Sequence, residues 1–174
     1  MTSALSTLSD TFHDAGIVPA TPTPEFSSVG ISLDGKLYLY ADEHQGQREV
    51  PALAGLVTSV NVATYGTNSV HGPRDYLDVH IAASPAQIYV LRLPCHSGQW
   101  SYRSLLGCLL GLDLPAVAVK IEPRRGRTAT FIRVSLDPEG HDQVMAEAIG
   151  PDRDDLEMSV NRVRFNLGLD PQFP

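Results

Sequence analysis

Gln87-Ile-Tyr-Val-Leu-Arg-Leu93, then Trp100 to Leu112, then Val117-Ala-Val-Lys-Ile121: along this stretch the hydrophobic period goes from two to about 3.6 and back again. In the middle piece Trp100, Tyr102, Leu105, Leu106, Leu109, Leu110 and Leu112 follow helical spacing, and Ser97 offers an N-cap. Gly107 and Gly111 weaken such a helix intrinsically, so tertiary packing has to hold it. The alternating runs on either side predict strands.

Upstream, Leu77, Val79 and Ile81 alternate with Tyr76, Asp78 and His80, and Ala83-Ser84-Pro85 turns the chain into the Gln87 strand. Earlier still, Leu56, Thr58, Val60 and Val62 alternate with Val57, Ser59, Asn61 and Ala63, predicting a long strand with the first set turned inward. The turn residues of Thr67–Arg74 predict a loop between these two strands. Downstream, Pro123-Arg124-Arg125-Gly126-Arg127 reads as a hairpin turn, followed by Thr130, Ile132, Val134 and Leu136 on one strand face. Residues 51–136 thus read strand, strand, strand, helix, strand, strand.

The flanks differ in character. Residues 1–27 read as a flexible N-terminal segment rich in Ser, Thr and Pro, with helical spacing at Leu5, Leu8 and Phe12 and a Pro19-to-Pro24 stretch that reads as an extended linker. Within residues 28–50, Val29 to Leu33 and Lys36 to Tyr40 flank Asp34-Gly35, the pair that tight hairpin turns favour. Residues 137–174 form an acidic extension. Asp152 to Leu167 predicts an amphipathic helix with Leu156, Val160, Val163 and Leu167 on one stripe, acids at its start, arginines near its end and Gly168 as a stop.

Charge separates the same segments. The chain carries a net −7, yet residues 51–136 hold eight basic and four acidic residues, while the remainder holds five and sixteen. A locally basic surface with acidic flanks is the pattern this predicts. No apolar run is long enough to cross a bilayer, and the start Met1-Thr2-Ser3-Ala4-Leu5 lacks the basic and apolar parts of a secretory signal. The expected location is the cytoplasm, with no membrane partner. Cys95 and Cys108 form no Cys-x-x-Cys pair, which argues for apolar thiols rather than a disulfide framework or zinc site.

The element order of residues 51–136 resembles the OB-fold. The resemblance implies a mainly β protein: a five-strand barrel with a helix between its third and fourth strands, plus the N-terminal hairpin and the C-terminal helical extension. It also implies a ligand lying across the second and third strands, gripped by the loops between strands one and two and between strands four and five. By position those loops are Thr67–Arg74 and Pro123–Arg127. With the inward sets assigned to the core, Tyr65, Tyr76, His80, Lys120, Phe131 and Arg133 point outward, joined by Arg92. Guanidinium groups suit phosphate oxygens, and aromatic rings hold unstacked bases. The expected nucleic-acid site is therefore Tyr76, Arg92, Lys120, Arg124, Arg125, Arg127, Phe131 and Arg133. The plan is similar to bacterial single-stranded DNA-binding proteins, whose acidic tail ends in an aliphatic–aromatic tip. Here Phe173 has no acidic run beside it.

Two readings compete. In the first, the chain binds single-stranded DNA or RNA with little sequence preference. In the second, it is an OB-like protein-interaction module, a scaffold or assembly chaperone, with no nucleic-acid ligand. Self-association is open in both. The outward rings could equally be covered by the C-terminal helix, and the arginine cluster could clamp the acidic extension. Enzymatic chemistry finds little support. Asp78 and His80 share a strand face without a third metal ligand, Cys95-His96 lacks an orienting acid, and no phosphate-binding glycine loop is present. The expectation is a non-enzyme with no cofactor and no metal.

Overall fold

A computed structural model describes residues 23–32, 34–40, 46–66, 72–96 and 98–174. The expectations for Leu5, Leu8 and Phe12, for most of the Pro-rich linker, for the 67–71 part of the first loop and for the Ser97 cap lie outside the described residues. These residues form β1 (Glu25–Ile31), β2 (Leu37–Tyr40), β3 (Gln47–Val50), β4 (Leu53–Tyr65), β5 (Arg74–Ser84), β6 (Gln87–Pro94), α1 (Ser101–Leu110), β7 (Ala118–Arg125), β8 (Thr130–Ser135) and α2 (Arg153–Asn166).

The eight strands make one sheet in the order β3-β2-β1-β6-β5-β4-β7-β8. The class is mainly β and barrel-like, but the five-strand barrel needs correction. To close on itself, the segment β6-β5-β4-β7-β8 would have to pair its two edges, β6 and β8. Instead β1 pairs in parallel with β6, setting Val29 beside Leu91 and Gly30 beside Arg92, and β2 and β3 continue outward from β1. The helix follows the third strand of this segment, but in the whole chain it falls between the sixth and seventh strands.

Chain connectivity forces this sheet to curl. β3 and β4 are five positions apart in the sheet order, about 24 Å if it were flat, at about 4.8 Å per strand. Only Pro51 and Ala52 join them, and three Cα steps reach about 11 Å at most. The sheet therefore bends round until its first strand comes back beside its sixth. On the other side of the bend, a Cβ placed on Gly35 in the β1–β2 turn would lie 3.3 Å from Arg125 Cβ and Thr130 Oγ1 of the β7–β8 hairpin. There the curl closes through side-chain contact.

β4 does double duty. Its first residues, Leu53–Leu56, pair with β7, and Leu56 onward pairs with β5. At Gly55 the two ladders meet so closely that a Cβ would stand 2.4 Å from the Ala82 carbonyl oxygen. A register shift between Val57 and Ser59 inserts one residue, and one extra residue inverts every side chain that follows. Leu53 and Val57 therefore face the core along with Val60 and Val62, while Leu56 and Thr58 are exposed. This corrects the expectation of unbroken alternation with Leu56 and Thr58 inward.

Inside the curl, α1 is buried almost all round, with Leu105, Leu106 and Leu109 fully enclosed beside Leu77, Ile81, Leu91 and Ile121. It begins at Ser101, later than the sequence suggests, with Trp100 at the cap position. α2 adds Leu156, Val160 and Val163 to the same core. Two stretches of exposed strand edge, on β8 and β4, are occupied. The Ser104 hydroxyl of α1 accepts from Ile132 N–H of β8 at 2.7 Å, and Val144 N–H donates to the Val134 carbonyl at 2.9 Å. Along the open half of β4, Arg164 donates to the Val60 carbonyl, and the Gln172 carboxamide both accepts from Val62 N–H (2.8 Å) and donates to its carbonyl (2.6 Å). One side chain thereby substitutes for a neighbouring strand.

Gly107 shows why a helix interior keeps a weak helix former. Glu147 N–H donates to its carbonyl, and a Cβ at residue 107 would sit 2.3 Å from the Glu147 carbonyl oxygen. Alanine has an intrinsic helix advantage of about 1 kcal/mol over glycine. Gly107→Ala is nevertheless expected to lower the unfolding free energy by about 1–3 kcal/mol, because the crossing backbone must move. Urea unfolding of the two proteins measures the sign directly.

Candidate functional site: the outer face of the sheet

Tyr76, Arg92, Lys120, Arg124 and Arg133 lie on the outer side of the curl, and apart from the hairpin tip they fall into two separately partnered groups. The first spans β5 and β6. Asp78 and Arg92 are cross-strand partners. Arg92 Nε donates to Asp78 Oδ1 at 3.0 Å and its Nη2 to Oδ2 at 3.1 Å, a two-pronged pairing. Tyr65 donates its hydroxyl to Asp78 Oδ2 at 2.5 Å and accepts from Arg92 at 2.7 Å, and the guanidinium lies 3.8 Å above the Tyr65 ring. Tyr76 meets Tyr65 edge-on at 5.7 Å. Asp78 is only 5 % exposed, so Arg92 neutralises a buried carboxylate and is committed to that task.

The second group spans β7 and β8. Lys120, Glu122 and Arg124 share one strand face through their two-residue spacing, and Arg133 is the cross-strand partner of Glu122. Glu122 is the hub: Arg133 lies at 2.9 Å, Lys120 at 3.0 Å and Arg124 at 3.6 Å. Burial pushes the Glu122 carboxyl up, but the hydrogen bonds from Lys120 and Arg133 outweigh it and hold the group below its ordinary range. Lys120 also donates to the Pro138 carbonyl at 2.7 Å. Part of the expected basic surface thus anchors the 137–142 turn, where Asp137 accepts from the His141 and Asp142 amides.

The hairpin tip is different. Arg125 lies near Asp34, whose carboxyl it helps to lower after the larger effect of the Ser32 hydroxyl hydrogen bond. Arg127 has no ion pair or side-chain hydrogen bond among the described residues, and Arg124 keeps most of its side chain in solvent. Phe131, opposite Arg124, is 40 % exposed and packs 6.1 Å from the ring of Trp100, itself 47 % exposed. Arg103 sits 5.3 Å over that indole. Trp100 and Arg103 were missed as site residues, because Trp100 fits the helical stripe of α1 and Arg103 lies off the strand faces from which the site was read. The signal available was a tryptophan at the very start of a helix, ahead of its buried leucines.

A third feature was not anticipated. Where β4 passes from β7 to β5, an apolar hollow of about 450 Å³ is lined by Leu56, Ala82, Ala83, Pro85 and Ala118. Leu56, turned outward by the bulge, is 41 % exposed on its rim. The same row continues through Ile88 to Phe26 on β1. One row over, His80 meets the edge of the Phe26 ring at 6.0 Å.

Other chemistry is limited. Asp78 spends both oxygens on Tyr65 and Arg92, which leaves His80 without a metal-binding companion. No cluster of three or more His, Cys, Asp or Glu able to hold a metal occurs among the described residues. Burial pushes the Cys95 thiol up to about 12 and raises that of Cys108 as well, so neither is an activated nucleophile. No helix among the described residues is long and apolar enough to cross a membrane.

Two outcomes follow from the separate roles. Arg92→Met is expected to cost about 2–4 kcal/mol, since it strands a buried carboxylate, whereas Arg127→Met should change stability by less than about 0.5 kcal/mol. Chemical denaturation distinguishes them. Burial also holds the His80 imidazole below its ordinary value, with the Asp78 charge opposing the shift. The folded state then binds a proton less readily than the unfolded chain. Stability is full above about pH 6.5 and declines as pH falls below it. His80→Gln should remove that decline between about pH 6.5 and 5, leaving the loss at lower pH where carboxylates such as Asp75, held down first by the Thr64 hydroxyl and then by Arg153, and Glu122, held down by Lys120 and Arg133, take up protons. Thermal melts across this range test it.

Compared with protein-family models, curated proteins and solved structures, the chain matches none, so its functional reading rests on the geometry of the outer face.

Proposed function

We propose that the chain is a protein-interaction module, a scaffold or assembly chaperone, that holds an extended segment of a partner polypeptide along the outer side of β4, β7 and β8. The observation that carries this reading is the apolar hollow beside Leu56, in line along β7 with the exposed Phe131–Trp100 pair and the arginine tip. Ala118 and Arg124 are six residues apart on one strand, about 20 Å at 3.3 Å per residue. A segment of similar length spans them, with an apolar side chain in the hollow and acidic side chains at Arg124 and Arg127. A polyanion finds less here than the sequence promised. Arg92, Lys120 and Arg133 already share Asp78 and Glu122, so few fixed charges remain for phosphate neutralisation.

Single-stranded nucleic-acid binding by an OB-type barrel is the second reading, favoured by one observation: three arginines at a hairpin tip beside two exposed rings. Both readings use the tip, and only the first uses the hollow. A labelled synthetic peptide with an apolar triplet about six residues ahead of an acidic triplet, and a labelled oligo-dT, separate them by fluorescence anisotropy. The peptide is expected to bind with micromolar affinity and to weaken about tenfold or more with Leu56→Asp, a loss of about 1.4 kcal/mol. Oligo-dT binding that is tighter than peptide binding, indifferent to Leu56→Asp and lost with Arg124→Ala, Arg125→Ala and Arg127→Ala together would replace the first reading with the second.

A further inference from the structure

The outward side of α2 is far from the hollow and is not used by the proposed function. Leu156, Ser159, Val160 and Val163 face the core, which leaves Asp154, Met158, Arg162 and Phe165 on the solvent side. Met158 is 59 % and Phe165 81 % exposed, two large apolar side chains on the same side of one helix. Their order is symmetric about Met158. An acid stands four residues before it and a base four residues after. Phe165 stands seven residues after it, on the same side of the helix.

Such a stripe is complementary to itself when reversed. An antiparallel copy with its two-fold axis at Met158 sets Met158 against Met158 and Asp154 against Arg162 twice, with the two Phe165 side chains at the ends of the stripe. That is the isologous arrangement a two-fold interface requires. Spacings of four and seven keep Asp154, Met158, Arg162 and Phe165 on one side of both helices. The charges are available for the purpose. Among the described residues Asp154 has no ion pair, and the link of Arg162 to Glu147 is an exposed one at 3.4 Å, worth little in water. A polyanion or a partner of one charge sign would meet repulsion at one end of the stripe; a second copy meets none.

We infer that α2 is a homodimerisation surface, with two copies of this chain packed antiparallel through Asp154, Met158, Arg162 and Phe165. The helix is about 21 Å long, at 1.5 Å per residue, so the area buried falls at the small end of specific interfaces and the dimer is a weak one. Sedimentation velocity on the intact chain from about 5 to 500 µM is expected to show a rising dimer fraction, with half-association in the tens to hundreds of micromolar. Met158→Asp should leave a monomer throughout, with an unchanged far-UV spectrum and urea midpoint because the side chain is exposed. Arg162→Asp alone should weaken association at least about tenfold. Combining it with Asp154→Arg should restore association, since the exchanged charges pair again across the axis. A monomer at all concentrations, a dimer that survives Met158→Asp, or a charge exchange that fails to restore association would each overturn the inference. Peptide binding at the Leu56 hollow is read separately and is unaffected by any of these variants.

Discussion

The parallel ladder between β1 and β6 is the constraint from which the rest of the architecture follows. It occupies the edge at which a five-strand barrel would close and adds a three-strand meander to the sheet. The two-residue link from β3 to β4 then obliges the enlarged sheet to bend back toward its own middle. A short connection between distant positions leaves no flat solution. The cavity made by that bend is large, and a single buried helix does not fill it alone. α1 supplies the leucines, and α2 brings Leu156, Val160 and Val163 to the same core.

An unclosed curl leaves strand edges, and unpaired backbone groups at an edge invite other chains. The protein meets this with side chains rather than with more strands. Ser104 takes the Ile132 amide, the 143–144 backbone meets β8, and Gln172 offers β4 both halves of a peptide group. Asn161 in turn accepts from the Gln172 and Phe173 amides, so α2 fixes the segment that protects β4. With β8 and the open half of β4 occupied in this way, the outer face is the surface of the sheet's middle that remains open to partners. That face carries the Leu56 hollow and the aromatic–arginine tip, and this division underlies the proposal that the partner is an extended polypeptide.

Much of this was legible in the sequence, and the failures have physical causes. The changes of period located α1 and the strands about it, and the apolar stripe of α2 was readable from Leu156, Val160 and Val163. Cross-strand ion pairing was readable in part, since Lys120, Glu122 and Arg124 share a face by spacing alone; that Arg133 completes the group depends on hairpin register. Two features were not readable. The insertion after Val57 occurs within Leu56-Val57-Thr58-Ser59-Val60, where both faces contain apolar residues, so no pattern marks the phase change that exposes Leu56. The β1–β6 pairing joins segments about sixty residues apart in sequence, and neither strand carries a local sign of its partner. The first of these concealed the hollow, and the second produced the expectation of a closed five-strand barrel.

The sheet order can be tested by nuclear Overhauser contacts between backbone protons of β6 and its neighbours. Parallel-type contacts joining Ser27–Gly30 to Tyr89–Arg92, with slowly exchanging amides along both strands, are the expected result. Contacts from β6 to Phe131–Ser135 of β8 would mean a closed five-strand barrel and would contradict the curl, its origin and the exposure of the face built on it.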